Sequence, residues 1–207
     1  IAEFEGTAFE EQERFGRLLI ETEGSIFKHR WIEPQRVNEL PELQRVVIAV
    51  DPPDAETERS DECGIVVVGL GYDERLYVIA DYTGPHTAEG WAKLAVWAFG
   101  EYKADALVVE ANRSRGPPPR HLPPAAPHLP LKEVHASRGK ATRAEPLAHL
   151  YQKGRVSHLK SGPGLTSRLH RRPRAKAWRP ETLEEEMCSW VPGKGRAPNG
   201  VDALVWG

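Results

Sequence analysis

The chain has 207 residues, 40% hydrophobic and 28% charged, which gives one sizeable core and leaves no room for a second complete domain. Its net charge of -2 hides an asymmetry: Ala111 to Arg179 carries 16 Lys plus Arg against two acids, Glu133 and Glu145, so this third holds about +14 and the rest about -16. Cys63 and Cys188 lie far apart with no metal-ligand spacing, which excludes a disulfide framework, and no run approaches the roughly 20 apolar residues of a membrane span.

The glutamate-rich N-terminus lacks a basic-then-apolar leader, so a soluble intracellular protein is expected. Ala8 to Glu21 reads as an amphipathic helix with Phe15, Leu18 and Leu19 on its apolar side, and Gly24 to Leu43, broken by Pro34 and Pro41, as a linker or extended wrapper. The core begins at Val46. Arg45 to Val50, Ile65 to Leu70 and Leu76 to Ala80 are short apolar runs, the last two separated by the turn residues Gly71-Tyr72-Asp73-Glu74, which predicts a three-stranded antiparallel meander.

After Pro85-His86-Thr87, the segment Ala88 to Tyr102 sets Trp91, Leu94, Ala95 and Ala98 at helical spacing and leads into a strand over Ala106 to Glu110. Leu131 to His135 reads as another strand, Lys140 to Gln152 as a helix with Leu147 and Leu150 inward, and Thr182 to Trp190 as a further helix. The order β-β-β-α-β-α-β-α-α is that of an α/β, ribonuclease-H-like fold: a mixed sheet of three antiparallel strands plus parallel strands, flanked by helices. No internal repeat interrupts it.

Three acids stand out against this frame. Asp51 ends the Arg45 to Val50 run and Glu110 ends Ala106 to Val109, so both are strand tips at the carboxyl edge of a buried sheet, where open α/β sheets place their sites. With Asn199 as N-cap, Asp202 falls at the third position of a terminal helix. Each has a structural reading as well: Asp51 before Pro52-Pro53 starts a turn, Glu110 caps a helix, and Asp202 satisfies free backbone N–H groups. Together they form a candidate site for divalent metal. In-line hydrolysis of a phosphodiester needs an activated water and a stabilised leaving oxygen, which two ions about 4 Å apart supply when a carboxylate bridges them. Asp51 is the expected bridge, with Glu110 and Asp202 completing the two shells and Mg2+ or Mn2+ as the ions.

The basic third points to a polyanion partner. His135, Arg138, Lys140 and Arg143 gather at a strand end and helix start, where phosphate binding is expected, Lys140 foremost. Further on, Arg168, Arg171, Arg172, Arg174 and Lys176 read as a DNA grip or as a mobile segment. Trp91, Trp97, Trp190 and Trp206 sit at helical or apolar positions and are read as core or interface, not base-stacking platforms. No HxxxH or HExxH spacing marks a zinc site.

Val50-Asp51-Pro52, Ser60-Asp61-Glu62-Cys63-Gly64-Ile65, Val109-Glu110-Ala111-Asn112, His135 to Lys140, Arg143-Ala144-Glu145-Pro146, Tyr151 to Val156, Leu183 to Met187 and Val201 to Trp206 occur in the order seen in large terminase subunits. From about Gly24 onward the chain resembles the C-terminal nuclease domain of a terminase of the tailed-bacteriophage or gene-transfer-agent type. The resemblance implies a metal-dependent endonuclease that cuts double-stranded viral DNA during packaging, with the catalytic and metal-binding roles on Asp51, Glu110 and Asp202. It implies residues 1–43 as the end of a preceding ATPase domain plus linker, and 44–207 as the nuclease domain with a basic insertion near 158–179. Partners implied are duplex DNA, the ATPase motor domain of the same full-length protein, the portal or procapsid and the small terminase, in the cytoplasm of an infected or producing bacterium, with no membrane.

Asp61 reads as a fourth metal-site acid or as a hairpin cap. The sequence departs from the family at Gly116-Pro117-Pro118-Pro119 and Pro123-Pro124, where a helix is usual and these prolines disfavour one. No GxxxxGK[ST] phosphate loop is present. Two further readings fit the same acids, a Holliday-junction resolvase and a ribonuclease H; a catalytically silent DNA clamp is the reading from a different class.

Overall fold

The structure is a computed structural model that describes residues 22–52, 62–111, 129–160, 180–194 and 198–207. The expected helix over Ala8 to Glu21, the acid Asp61 and the basic residues Arg168 to Lys176, including Arg171 and Arg172, lie outside the described residues.

Three strands form the predicted meander: β1 (Leu43–Asp51), β2 (Glu62–Gly71) and β3 (Leu76–Asp81). Their apolar residues are β-branched or small, which suits a pleated sheet covered on both faces. β1 and β2 run antiparallel with Asp51 opposite Gly64, and β2 and β3 run antiparallel with Val66 opposite Asp81. A two-residue strand β4 (Gly84–Pro85) then pairs with the start of β2. Helix α2 (Ala88–Glu101) follows the short α1 (His29–Ile32) in chain order, and its N-terminus is capped by Thr87, whose hydroxyl accepts from the Gly90 N–H at 3.1 Å.

α2 returns the chain to β5 (Ala106–Glu110), which lies parallel to β1 with Val109 opposite Val50. β6 (Leu131–Val134) adds parallel to β5. Helix α3 (Lys140–Gln152) leads to β7 (Val156–His158), parallel to β3, and α4 (Pro180–Ser189) and α5 (Asn199–Trp206) complete the described chain. The sheet order is β6-β5-β1-β2-β3-β7, a mixed sheet as expected.

Among the described residues the element order from Leu43 is β-β-β-β-α-β-β-α-β-α-α, and β7 is a strand to which no segment had been assigned. Three residues, Val156-Ser157-His158, are too few for a period-2 pattern to register. The inward residues of α3 also differ from expectation. Ala144, Ala148 and Tyr151 are buried, whereas Leu147 and Leu150 are only partly covered. Small residues on this face let α3 approach α5 and α1, and the larger leucines fall to its flank.

Alternation along the strands divides the core in two. Val46, Ile48, Val50, Ile65 and Val67 face α2 with Trp91, Ala92, Ala95 and Ala98. On the other face Val66, Val68 and Val78 meet Tyr151, Leu183, Met187, Val201 and Leu204 from α3, α4 and α5. The segment read as linker or wrapper packs into this second layer: Phe27 and Ile32 are fully buried, and the Phe27 ring meets Tyr151 edge-on at 5.5 Å. No helix among the described residues is long and apolar enough to cross a membrane.

Candidate active site

β1 and β5 are parallel neighbours in register, so Asp51 and Glu110, each the last residue of its strand, emerge side by side at the carboxyl edge of the sheet. α5 lies across β1, β2 and β5 and lowers Asp202 onto the same edge. Gly64 permits this close approach. A Cβ there would fall on the carbonyl of Asn199 and come within 3.0 Å of the Ala203 Cβ.

α5 starts differently from the sequence expectation. The N-cap is Pro198 and Asn199 is the first helical residue, its side-chain amide donating across to the Glu62 carbonyl. Asn199 is thus a tie between α5 and β2, and Asp202 is the fourth helical residue, with its own N–H already bonded to the Pro198 carbonyl at 3.2 Å. Its carboxylate is therefore not needed as a cap and faces the other acids.

The three acids interact strongly. Burial first, then the negative charges of Asp202 and Glu110, push the Asp51 carboxyl up to about 8 against the pull of Lys140, and Asp51 shares a hydrogen bond with Glu110. Burial also raises Asp202, opposed by Lys140 and Arg143. Asp202 is almost wholly buried, while Asp51 and Glu110 remain partly open to solvent.

Two of the expected phosphate ligands take up the excess charge. Lys140, at the start of α3, donates to Asp202 Oδ2. Arg143, one turn later, places Nη2 3.4 Å from Asp202 Oδ1 and Nη1 3.7 Å from Glu110 Oε2. Arg138 is exposed on the loop before α3, and His135 Nδ1 lies 3.0 Å from the Ala111 carbonyl, fastening the end of β6 beside β5. Trp206 belongs to the site as well, although its sequence position reads as core or interface. Its indole N–H donates to Glu110 Oε2 at 2.8 Å, and its ring carries the Arg143 guanidinium 4.6 Å from the centroid. The signal that would have found it is the four-residue spacing from Asp202, which puts both on one face of α5.

Among the described residues no group of three His, Cys, Asp or Glu side chains is arranged to hold a metal ion as it stands. The physical reason is visible in the contacts: the Asp202 oxygens turn to Lys140 and Arg143, and Glu110 Oε2 turns to Trp206. In donor chemistry the set still fits a divalent ion. It is all carboxylate oxygen, as Mg2+ and Mn2+ prefer, and the proton on Asp51 is favoured by burial and then by the charges of Asp202 and Glu110, which a cation would offset.

Residues 48–174 match the family described as the terminase RNaseH-like domain. No curated protein matches the chain. The nuclease domain of the phage P22 large terminase is similar in structure, with 16% identity, a TM-score of 0.56, and coverage of 89% of this chain and 91% of that one. The large-terminase nuclease domain of the bacterial virus Sf6 gives 15% identity and a TM-score of 0.55, covering 87% and 96%. A manganese-soaked terminase nuclease domain of human cytomegalovirus gives 12% and 0.55, covering 86% and 92%. At these identities the likeness is one of fold.

Proposed function

Because the chain belongs to the terminase RNaseH-like family, we propose that it is the nuclease part of a large terminase, a divalent-metal-dependent endonuclease that cuts double-stranded viral DNA during genome packaging. The observation that carries this is the meeting of Asp51, Glu110 and Asp202, from β1, β5 and α5, at one sheet edge, where burial and then the charges of Asp202 and Glu110 push the Asp51 carboxyl up to about 8.

In this reading Asp51, Glu110 and Asp202 would hold two divalent ions, Mg2+ or Mn2+. The manganese soak of the cytomegalovirus domain supports the choice of ion class. When bound, such ions would supply Lewis-acid stabilisation of charge at a phosphoryl oxygen and make an attacking water more acidic. The chain's own residues do the rest. Asp51 would exchange its proton for a bound cation, and Trp206 and Arg143 hold Oε2 of Glu110. Lys140 and Arg143 balance Asp202, and Lys140, about two-fifths exposed, is the cation that can turn from the acid to a DNA phosphate. Exposed Arg138 extends that phosphate contact, and Arg171 and Arg172 are proposed to do the same from the basic segment. The remaining proposed partners are the ATPase motor domain, the portal or procapsid and the small terminase, in the bacterial cytoplasm.

The test is plasmid nicking in manganese by wild type and by Asp51→Asn. Asparagine keeps size and removes the charge, so nicking is lost while the circular dichroism spectrum stays unchanged. Undiminished cutting by the variant overturns the site.

A further inference from the structure

α5 does more than deliver Asp202. Four residues on, and so on the same helical face about 6 Å along the axis, it presents Trp206 to the acid of a different element. Indole nitrogen is a donor only, and its one hydrogen goes to Glu110 Oε2 at 2.8 Å, a charge-assisted bond that takes one lone pair of that oxygen. The ring face is occupied too. Arg143 lies over it at 4.6 Å and reaches towards both Glu110 and Asp202, yet its Nη1 and Nε are buried with no hydrogen-bond partner. One hydrogen bond, from Nη2 to Asp202 Oδ1 at 3.4 Å, leaves two guanidinium nitrogens unpaired, so stacking on Trp206 adds to what keeps the group between the two acids.

We infer that Trp206 is the positioning residue for Glu110: its N–H fixes the outer carboxylate oxygen and its ring holds Arg143, so that the rest of the Glu110 carboxylate faces Asp51 and an incoming cation. This rests on the metal-site reading above. Partners that orient a metal-binding carboxylate in this way act on affinity, and their removal costs about 10–100-fold. A tryptophan that merely fills the helix end moves stability and leaves affinity alone. The two roles separate in Trp206→Phe, which keeps an aromatic face for Arg143 but has no donor.

The experiment has two readouts. In protein labelled with 15N-tryptophan, the Trp206 indole N–H resonance, identified by its loss in Trp206→Phe, moves in Glu110→Gln and on addition of Mg2+. In Mn2+ titrations followed by electron paramagnetic resonance, Trp206→Phe binds about tenfold or more weakly than wild type at an unchanged thermal midpoint. A resonance that stays put in Glu110→Gln overturns the link, and needs no Trp206 variant beyond the one used for identification. Wild-type Mn2+ affinity in Trp206→Phe overturns its role. Wild-type protein that takes up no Mn2+ overturns the metal-site reading and with it the cation-facing part of the inference, while the Glu110 resonance still decides the link itself.

Discussion

Arg36 and Glu184, 148 positions apart, form a two-pronged ion pair inside the protein: Nη1 donates to Oε1 at 2.7 Å, Nη2 donates to Oε2, and the two side chains are 4% and 2% exposed. His158 Nδ1 lies 2.8 Å from the same Oε1, and its Nε2 sits 2.6 Å from the Tyr151 hydroxyl. The cluster ties the segment before β1 to α4 and β7, and α4 packs in the same layer as α5, which carries Asp202.

Breaking this pair from one side leaves a buried charge. Glu184→Gln is expected to destabilise the fold by about 3–5 kcal/mol, and the apolar double replacement Arg36→Met with Glu184→Leu by clearly less. Urea unfolding measures both. A double variant as unstable as the single one would mean that the pair contributes net stability of its own.

The acids also set opposite limbs of a pH profile. Burial raises Glu184, but His158 and Arg36 outweigh it and hold the carboxyl down at about 2. A depressed carboxyl stabilises above its ordinary value of 4.5, and that contribution is lost as pH falls from 4.5 towards 2. Glu186 is pushed up to about 8 by burial and by Asp81 and Glu62. The folded state keeps a proton there that the unfolded chain has released, so stability falls as pH rises from 4.5 to 8. Unfolding midpoints measured in chelator across pH 3–9 (about the span of these shifts) should flatten on the alkaline limb in Glu186→Gln. Equal slopes in variant and wild type would remove Glu186 from the account.

Gly64→Ala tests the seat of α5. The new methyl meets the backbone of Asn199, which cannot swing aside, so the helix must lift, at about 1–3 kcal/mol. Because Gly64 pairs with Asp51 and α5 carries Asp202, manganese-dependent nicking should fall further than the stability loss explains. Gly100→Ala is the control. Nothing lies within 4 Å of a Cβ there, and it should stabilise α2 by about 0.5–1 kcal/mol without touching activity.

Substrate choice separates a terminase nuclease from other enzymes of this fold. Supercoiled plasmid should be cut in preference to a four-way junction or an RNA–DNA hybrid, with binding that weakens steeply with salt because phosphates are the contact. Preferential resolution of the junction would reassign the enzyme to the resolvases, and cutting confined to the hybrid would reassign it to ribonuclease H.

The sequence by itself determined the strands β1, β2, β3, β5 and β6 and the placement of two acids at strand ends. Asp51 and Glu110 end β-branched runs, and burial of such runs on both faces leaves their last polar residue nowhere to go but the edge. The α2 helix was legible from its period and α3 in its extent though not in its inward face, and the ordered motifs carried the family. Tertiary structure alone decided where the charges went. Lys140 and Arg143 read as ligands for DNA phosphate, yet they turn inward, because three acids brought to one edge need cations nearer than solvent can supply. Trp206 read as core or interface, and its N–H meets Glu110 once α5 crosses β5, while Arg36 gave no sign of Glu184. Periodicity states which face of an element is buried; it carries no information on which distant charge will be waiting there, since that is fixed only when the layers close.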